Sequence, residues 1–334
     1  MTPFDVAGLD AVVIGGDTRA AAQVAALLDG GSSVTVVAPE LTATIDDLVG
    51  RGLVTWVRDV EPADLDRFDL VLRGRPRAPE PDRILGIGSV TLVGGGPGDP
   101  GLVTVAGREA IQQADVIVTD RLAPIAALAW ARPDVELIDV AKIPGGRSTS
   151  QDDINQLLVE HAKAGRHVVR FKGGDNFVFG RGGEELLACH AAGIATRVIP
   201  GVSSAIAAPA LAGVPVTHRG LTQGFTVISG HVPPDHPDST LDYAALARSG
   251  TTIVVLMGVR TLEAICAALV TGGLAPSTPA AVVADGSLSS QHVVRATVST
   301  IAAHAAGVRP PAVAVIGDVA DIDGLVDDAD GTSR

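Results

Sequence analysis

Twice in this chain an apolar, β-branched run enters a cluster of glycines and emerges as an alanine-rich helical pattern. The first is Ala11-Val-Val-Ile-Gly-Gly16, followed by a helix to about Leu28 and a second strand, Ser33-Val-Thr-Val-Val37. The second is Val90-Thr-Leu-Val-Gly-Gly-Gly96. A strand that feeds a glycine turn and then a helix opens a parallel α/β unit, because parallel strands need a crossover that covers the sheet face. The chain has 334 residues, 46% of them apolar and 19% charged, which is core material for two or three packing units and argues against a disordered chain. Between the two openings lies RGRPRAPEPDR (73–83), rich in proline and charge and without periodicity, which reads as a linker.

After residue 89 the alternation continues. Val116–Thr119, Val135–Asp139 and Val168–Phe171 read as buried strands, and residues 151–164 and 184–192 as helices. Near Pro215 the texture becomes richer in strands, at Phe225–Ser229, Thr252–Leu256, Ala280–Val283, Gln291–Arg295 and Ala312–Ile316. The expected organisation is a small, incomplete Rossmann-like unit (1–72), a linker (73–88), two α/β lobes (89–210 and 211–326) with a cleft between them, and an acidic tail (327–334).

Four glycine-bearing stretches follow predicted strands after the linker: VGGGPGDPG (93–101), KGGDNFVFGRGGEE (172–185), PGVSSA (200–205) and LMGV (256–259). Open α/β sheets bind ligands at such strand exits, and glycine lets main-chain amides approach a ligand that a Cβ would hold away. None is a phosphate loop, since G-x-x-x-x-G-K-[ST] is absent.

Several function classes are disfavoured. Nine aromatics are too few for a base-stacking platform, and a net charge of −13 opposes non-specific binding to nucleic acid or anionic membrane. The two cysteines, Cys189 and Cys266, have no partner at zinc-binding spacing, and the eight histidines are scattered, so no metal centre is expected. The start MTPFDVAGLD lacks the pattern of a signal peptide, and no apolar run is long enough to span a bilayer. A cytoplasmic protein without nucleic-acid or membrane partners is expected.

In order, VGGGPGDPGLVTVAG, ADVIVTDRL, AK-x-PGGR-x-x-x-QDDIN, KGGD-x-FVFGRGGEE, PGVSSA and PVTHRG resemble the uroporphyrinogen-III C-methyltransferases, a branch of the tetrapyrrole methylases, over about residues 89–320. The resemblance implies a two-lobed tetrapyrrole methylase fold, usually a homodimer, that uses S-adenosylmethionine to methylate uroporphyrinogen III at C2 and C7. The product, by way of precorrin-1, is precorrin-2 for siroheme or cobalamin biosynthesis. By position, it implies that Pro97, Gly173, Gly174, Asp175, Val178, Ser203, Ser204, Met257 and Gly286 meet the methyl donor. It makes Asp120 the proton acceptor and Lys142 the proton donor. Neither role demands a large pKa shift, because an aspartate is ordinarily ionised and a lysine protonated at neutral pH. Only three lysines (142, 163 and 172) stand among the 25 Lys and Arg residues, so a lysine in a motif suggests a site that wants a compact ammonium.

A polycarboxylate substrate on an acidic protein requires a local basic cleft. Arg121, Lys142, Arg147, Arg170, Lys172, Arg181, His218 and Arg219 lie in or beside the matching motifs, and arginine forks suit carboxylates. Of these, Arg121, Arg147, Lys172, Arg181, His218 and Arg219 are the expected substrate contacts. Two departures from the family pattern bear on substrate placement. The motif GKR-x-G-x-H is here Ala141-Lys-Ile143 with Arg147, and Asn176 replaces a proline, which is expected to loosen its loop.

Residues 9–72 are similar to the start of the precorrin-2 dehydrogenase module of bifunctional siroheme synthases. Its glycine fingerprint is defective: Gly15-Gly16-Asp17 puts a carboxylate where the middle glycine would let the backbone meet a diphosphate. A structural appendage without NAD is expected. The rival readings are a methylase of a later precorrin, a bifunctional siroheme synthase that retains NAD-dependent dehydrogenase activity, and a binding protein on an inactive methylase fold.

Overall fold

A computed structural model of the chain describes residues 6–59, 61–73, 88–141 and 149–321. The chain divides into two compact units, Met1–Val202 and Ser203–Arg334.

The first unit contains two parallel sheets. The N-terminal one has strands β1 (Asp10–Ile14), β2 (Ser33–Val37), β3 (Thr55–Val57) and β4 (Leu70–Arg73) in the order β3-β2-β1-β4, with helices α1 (Thr18–Asp29) and α2 (Ala43–Gly50). The second has β5 (Ser89–Gly94), β6 (Val116–Thr119), β7 (Glu136–Asp139), β8 (His167–Lys172) and β9 (Ala195–Ile199), all parallel, in the order β7-β6-β8-β5-β9. Its helices are α3 (Val105–Gln113), α4 (Gln151–Lys163) and α5 (Gly182–Ala191). The central strands of a sheet covered on both faces are rich in apolar residues: Val90, Leu92 and Val93 of β5 and Val116, Ile117 and Val118 of β6 are buried. Helix α4 begins where Ser150 and Asp153 cap each other, and Ile154, Leu158 and Ala162, spaced by four, form its buried stripe. That stripe packs on Val90, Leu92, Val116, Val118 and Val168.

The opposite face of this sheet shares one core with the N-terminal sheet. Ala21, Val24 and Leu27 of α1 belong to the same buried cluster as Ile125, Ala127 and Leu128 of a 3₁₀ turn (Ile125–Trp130), and as Val135. Polar contacts stitch the same seam. Arg19 Nη2 donates to the Val135 carbonyl at 3.2 Å, Thr44 Oγ1 to Asp139 Oδ2 at 3.1 Å, and Arg121 Nη1 lies 3.2 Å from Asp47 Oδ1.

The second unit opens with α6 (Ser204–Leu211) and has a mixed sheet of β10 (Phe225–Ser229), β11 (Thr252–Leu256), β12 (Pro279–Ala284), β13 (His292–Thr297) and β14 (Ala312–Ile316), ordered β10-β11-β14-β12-β13. Only the β10–β11 pair is parallel, and β14 lies antiparallel between β11 and β12. Its other helices are α7 (Tyr243–Ala247), α8 (Leu262–Thr271) and α9 (Ile301–His304). Side chains alternate across the sheet. Ile253, Val255, Val282 and Ile316 join Ile265, Cys266 and Leu269 of α8, while Val254, Val283 and Val313 join Ala205 and Ala208 of α6.

Leu128→Ala removes apolar volume from the core common to both sheets of the first unit, at an expected cost of about 2–5 kcal/mol. Amide-exchange protection should fall in β1 and β2 as well as in β6. A loss confined to the sheet that carries Leu128 would contradict the shared core.

Candidate functional site

Three strand exits of the first unit meet at one end of its second sheet. β5 pairs with both β8 and β9, so Gly94, Gly173-Gly174 and Pro200-Gly201 emerge side by side. Gly96 and Gly174 exchange main-chain hydrogen bonds of 3.1 and 2.6 Å. No side chain fits at this junction: a Cβ on Gly201 would lie 2.2 Å from the Gly174 carbonyl oxygen, and one on Gly94 would lie 2.4 Å from the Gly201 nitrogen. Asp175 clasps two of the loops, with Oδ2 accepting from Gly201 N at 3.1 Å and Oδ1 from Phe177 N at 2.9 Å. Pro97 is half-buried in the turn after β5, and Val178 is exposed between Phe177 and Phe179. Asn176 does not loosen its loop as expected. It is fully buried, and its amide donates to the carbonyls of Ile199 at 2.9 Å and Leu92 at 3.4 Å, so it ties the loop to β5 and β9.

The remaining residues expected to meet the methyl donor lie in the second unit. Ser203 caps α6, its hydroxyl accepting from Ala205 N at 3.3 Å, and Ser204 is that helix's first residue. Gly286 lies against α6, where a Cβ would come within 2.5 Å of Ala208 Cβ. Met257, just after β11, is exposed and takes a left-handed backbone (φ 57°), an uncommon state for a residue with a side chain.

A buried charge cluster stands beside the glycine junction. Arg170 and Lys172 alternate along β8 and therefore share a sheet face, and Glu185 of α5 lies between them. Glu185 Oε1 accepts from Arg170 Nε at 2.9 Å and Oε2 from Lys172 Nζ at 2.8 Å. Arg170 Nη2 reaches Asp120 Oδ2 at 3.1 Å, at the exit of β6, and Asp120 Oδ1 accepts from Leu122 N at 3.1 Å. Lys172, expected to meet substrate, is buried instead, and its ammonium donates to Glu185 and to the Gly180 carbonyl. Burial lowers its pKa, and the charge of Glu185 opposes that shift.

Other expected substrate cations are exposed to different degrees. Arg121 is part-exposed and paired with Asp47 of α2. Arg181, also in a left-handed backbone (φ 58°), grips Glu184 through two hydrogen bonds of 2.8 and 2.7 Å. His218 and Arg219 are exposed in a turn of the second unit. Lys142 and Arg147 lie outside the described residues. Sequence reasoning passed over Glu185, Asp139 and Asp47. A signal for Glu185 was present in two cations at alternate positions of an apolar strand, which need a buried counter-charge.

In the N-terminal sheet, the turn after β1 does not suit a dinucleotide. A diphosphate would sit at the N-terminus of α1, where Asp17 already caps the helix through Oδ1 to Ala20 N at 2.8 Å. Main chain closes the turn as well: a Cβ on Gly16 would fall 1.9 Å from the Glu40 carbonyl oxygen, and Thr42 N donates to the Gly16 carbonyl. Among the described residues, no group of three His, Cys, Asp or Glu could hold a metal ion, and no helix is long and apolar enough to cross a membrane.

Residues 89–302 match the family model described as Tetrapyrrole (Corrin/Porphyrin) Methylases. The chain belongs to the tetrapyrrole methylase family. Residues 3–77 of this methylase match a second model, described as Putative NAD(P)-binding. It is 45% identical over 238 residues to the uroporphyrinogen-III C-methyltransferase of Methanocaldococcus jannaschii, covering 70% of this chain and 98% of that protein. It is 44% identical over 232 residues to the siroheme synthase of Edwardsiella ictaluri, where the match covers 70% of this chain but only 50% of that longer protein. Among solved structures, the uroporphyrin-III C-methyl transferase of Thermus thermophilus complexed with S-adenyl homocysteine aligns with a TM-score of 0.61 at 37% identity, over 70% of this chain and 99% of that one.

Asp139, at the end of β7, has its pKa raised, chiefly by burial and further by the Asp120 charge, against hydrogen bonds from Ala141 and Thr44 that lower it. The folded methylase therefore holds a proton there at a pH where the unfolded chain, with its ordinary value near 3.8, has released it. Stability contributed by this group falls as pH rises through that window. Asp139→Asn removes the charge, while its amide can accept from Ala141 N through Oδ1 and donate to Thr44 Oγ1 through Nδ2, so it should raise the melting temperature at pH 7 to 8. The gain should vanish on acidification below the ordinary carboxylate pKa, and a gain that grows in acid would contradict the assignment.

Proposed function

We propose that this methylase transfers methyl groups from S-adenosylmethionine to C2 and then C7 of uroporphyrinogen III, giving precorrin-2 by way of precorrin-1. The observation that carries this reading is the position of Asp120. It follows β6, the strand next to β8, so it stands one strand away from the main-chain junction at Gly94, Gly174 and Gly201. The two relatives named as uroporphyrin(ogen)-III methyltransferases, each covered almost from end to end, supply the substrate class.

The sulfonium of the donor supplies an electrophilic methyl group. Pro97, Gly173, Gly174, Asp175, Val178, Ser203, Ser204, Met257 and Gly286 would hold it. Close-packed main chain at strand exits fits that task, because amides fixed by the fold can meet a ligand without a side chain intervening. Alkylation of an electron-rich pyrrole carbon leaves a cationic product that must lose a proton. In this reading the Asp120 carboxylate takes that proton, and Lys142 is the proton donor that keeps the macrocycle's protonation in order. Alignment of the reacting atoms can supply about 7–11 kcal/mol, and general acid–base help about 3–5 kcal/mol. Positioning is therefore the larger contribution.

Arg121, Arg147, Arg181, His218 and Arg219 are the proposed partners of substrate carboxylates; Lys172 leaves that set because it is buried. Arg121 would have to exchange Asp47 for a substrate carboxylate. The wider reading has residues 1–72 as an appended structural unit, 89–210 and 211–326 as the two methylase lobes, a homodimer, and a cytoplasmic location. Asp17 at the N-terminus of α1 opposes NAD binding, so precorrin-2 mixed with the protein and NAD⁺ should remain unoxidised.

Incubation with S-adenosylmethionine and uroporphyrinogen III should give precorrin-2, detected by its absorption spectrum. Turnover of later precorrins alone would overturn the substrate assignment. Asp120→Asn should lower kcat by about 10²–10⁴-fold with S-adenosylhomocysteine affinity retained. Asp47→Ala frees Arg121 and should lower KM for uroporphyrinogen III severalfold at unchanged kcat; a KM that stays or rises would show that the ion pair does not compete with substrate.

A further inference from the structure

The geometry points to Arg170 as a positioning residue that aims the Asp120 carboxylate, with the buried Glu185–Lys172 pair holding Arg170 from behind. The inference rests on the proposed role of Asp120 in proton transfer and assigns new roles to three residues that touch neither donor nor substrate in that scheme. Every nitrogen of the Arg170 guanidinium is engaged. Nε donates to Glu185 at 2.9 Å, Nη1 to the carbonyls of Val118 at 3.3 Å and Phe171 at 3.2 Å, and Nη2 to Asp120 at 3.1 Å. Three of those four partners, two main-chain carbonyls and a carboxylate with no exposed surface, fix the plane of the fork. The fourth, Asp120, is the member that reaches solvent, its side chain 29% exposed against 4% for Arg170. A rigid planar donor anchored on its inner side orients what it binds on its outer side.

Charge parity supports the same assignment. Arg170 and Lys172 carry two positive charges, and Glu185 supplies one negative charge between them. Glu185 lies between both cations, and Asp120 is the second carboxylate within reach of Arg170, on the side away from Glu185. Lys172 cannot stand in for Arg170, because its ammonium already bridges Glu185 and the Gly180 carbonyl.

The test is a double-mutant cycle in the full chain, with Arg170→Lys and Asp120→Asn made singly and together, read as kcat and KM for uroporphyrinogen III and as S-adenosylhomocysteine affinity by calorimetry. Arg170→Lys keeps the buried cation beside Glu185, but a single ammonium cannot span both carboxylates. It should lower kcat by about 10²-fold, the scale of a misaimed catalytic group, with KM and S-adenosylhomocysteine affinity unchanged. In the Asp120→Asn background it should cost nothing further. Equal losses in both backgrounds would reveal a merely structural role and overturn the proposal, as would a silent Arg170→Lys in a chain whose Asp120→Asn variant is slow. If Asp120→Asn itself leaves kcat intact, the proton-transfer reading fails and takes this proposal with it, an outcome distinguishable from failure of the positioning alone. Glu185→Gln, which keeps the side chain's shape while slackening the anchor on Nε, should show the same non-additivity and serves if the lysine variant does not fold.

Discussion

Main chain lies against main chain at the exits of β5, β8 and β9, and the rest of the first unit is arranged around that contact. Gly94, Gly174 and Gly201 approach so closely that no Cβ can intervene, and Asp175 holds two of the loops together through their amides. Because these loops leave neighbouring strands, their spacing is set by the ladder, which is stiffer than any loop. A ligand site built this way needs few side chains to define it. The burial of Asn176, bonded to the carbonyls of Leu92 and Ile199, extends the same logic one residue further and explains why a residue without proline's rigidity serves there.

Against that main-chain frame, the charged cluster on β8 is the costly part of the fold. Two cations of β8 and a glutamate of α5 are buried beside the apolar residues of β5 and β6, and a set of apolar residues would pack there with less desolvation. What the ions give in return is direction. Each nitrogen of Arg170 has a fixed partner, so the carboxylate at the edge of the cluster is held at a defined angle. The first unit thus combines two kinds of rigidity, a ladder that spaces the loops and an ion network that orients a side chain.

Much of this was legible before any coordinates. The apolar runs at β1, β5, β6, β8 and all five strands of the second unit read as strands in the sequence, and glycines mark the exits of β1, β5, β8 and β11. Charge partnerships were harder to read. Lys172 reads as a ligand cation in KGGD, yet its depth depends on where α5 crosses the sheet, which no local pattern specifies. Arg121 likewise reads as a substrate contact, while its partner Asp47 is 74 residues away on a helix of the N-terminal sheet. Pairings between distant segments depend on packing, and periodicity carries no information about them.

The seam between α1 and the turn Ile125–Trp130 has one more consequence. Helix α1 contributes its apolar side to the same core that supports β6 and β7, and α2 sends Thr44 and Asp47 to the ends of those two strands. An appended segment of this kind is not a passenger that can be trimmed. A chain cut back to begin at β5 would present Ile125, Ala127 and Leu128 to water as an oily strip and leave Arg121 and Asp139 without their clamps. Sticky, poorly folded material from such a truncation would report the loss of a buttress, not the loss of an activity.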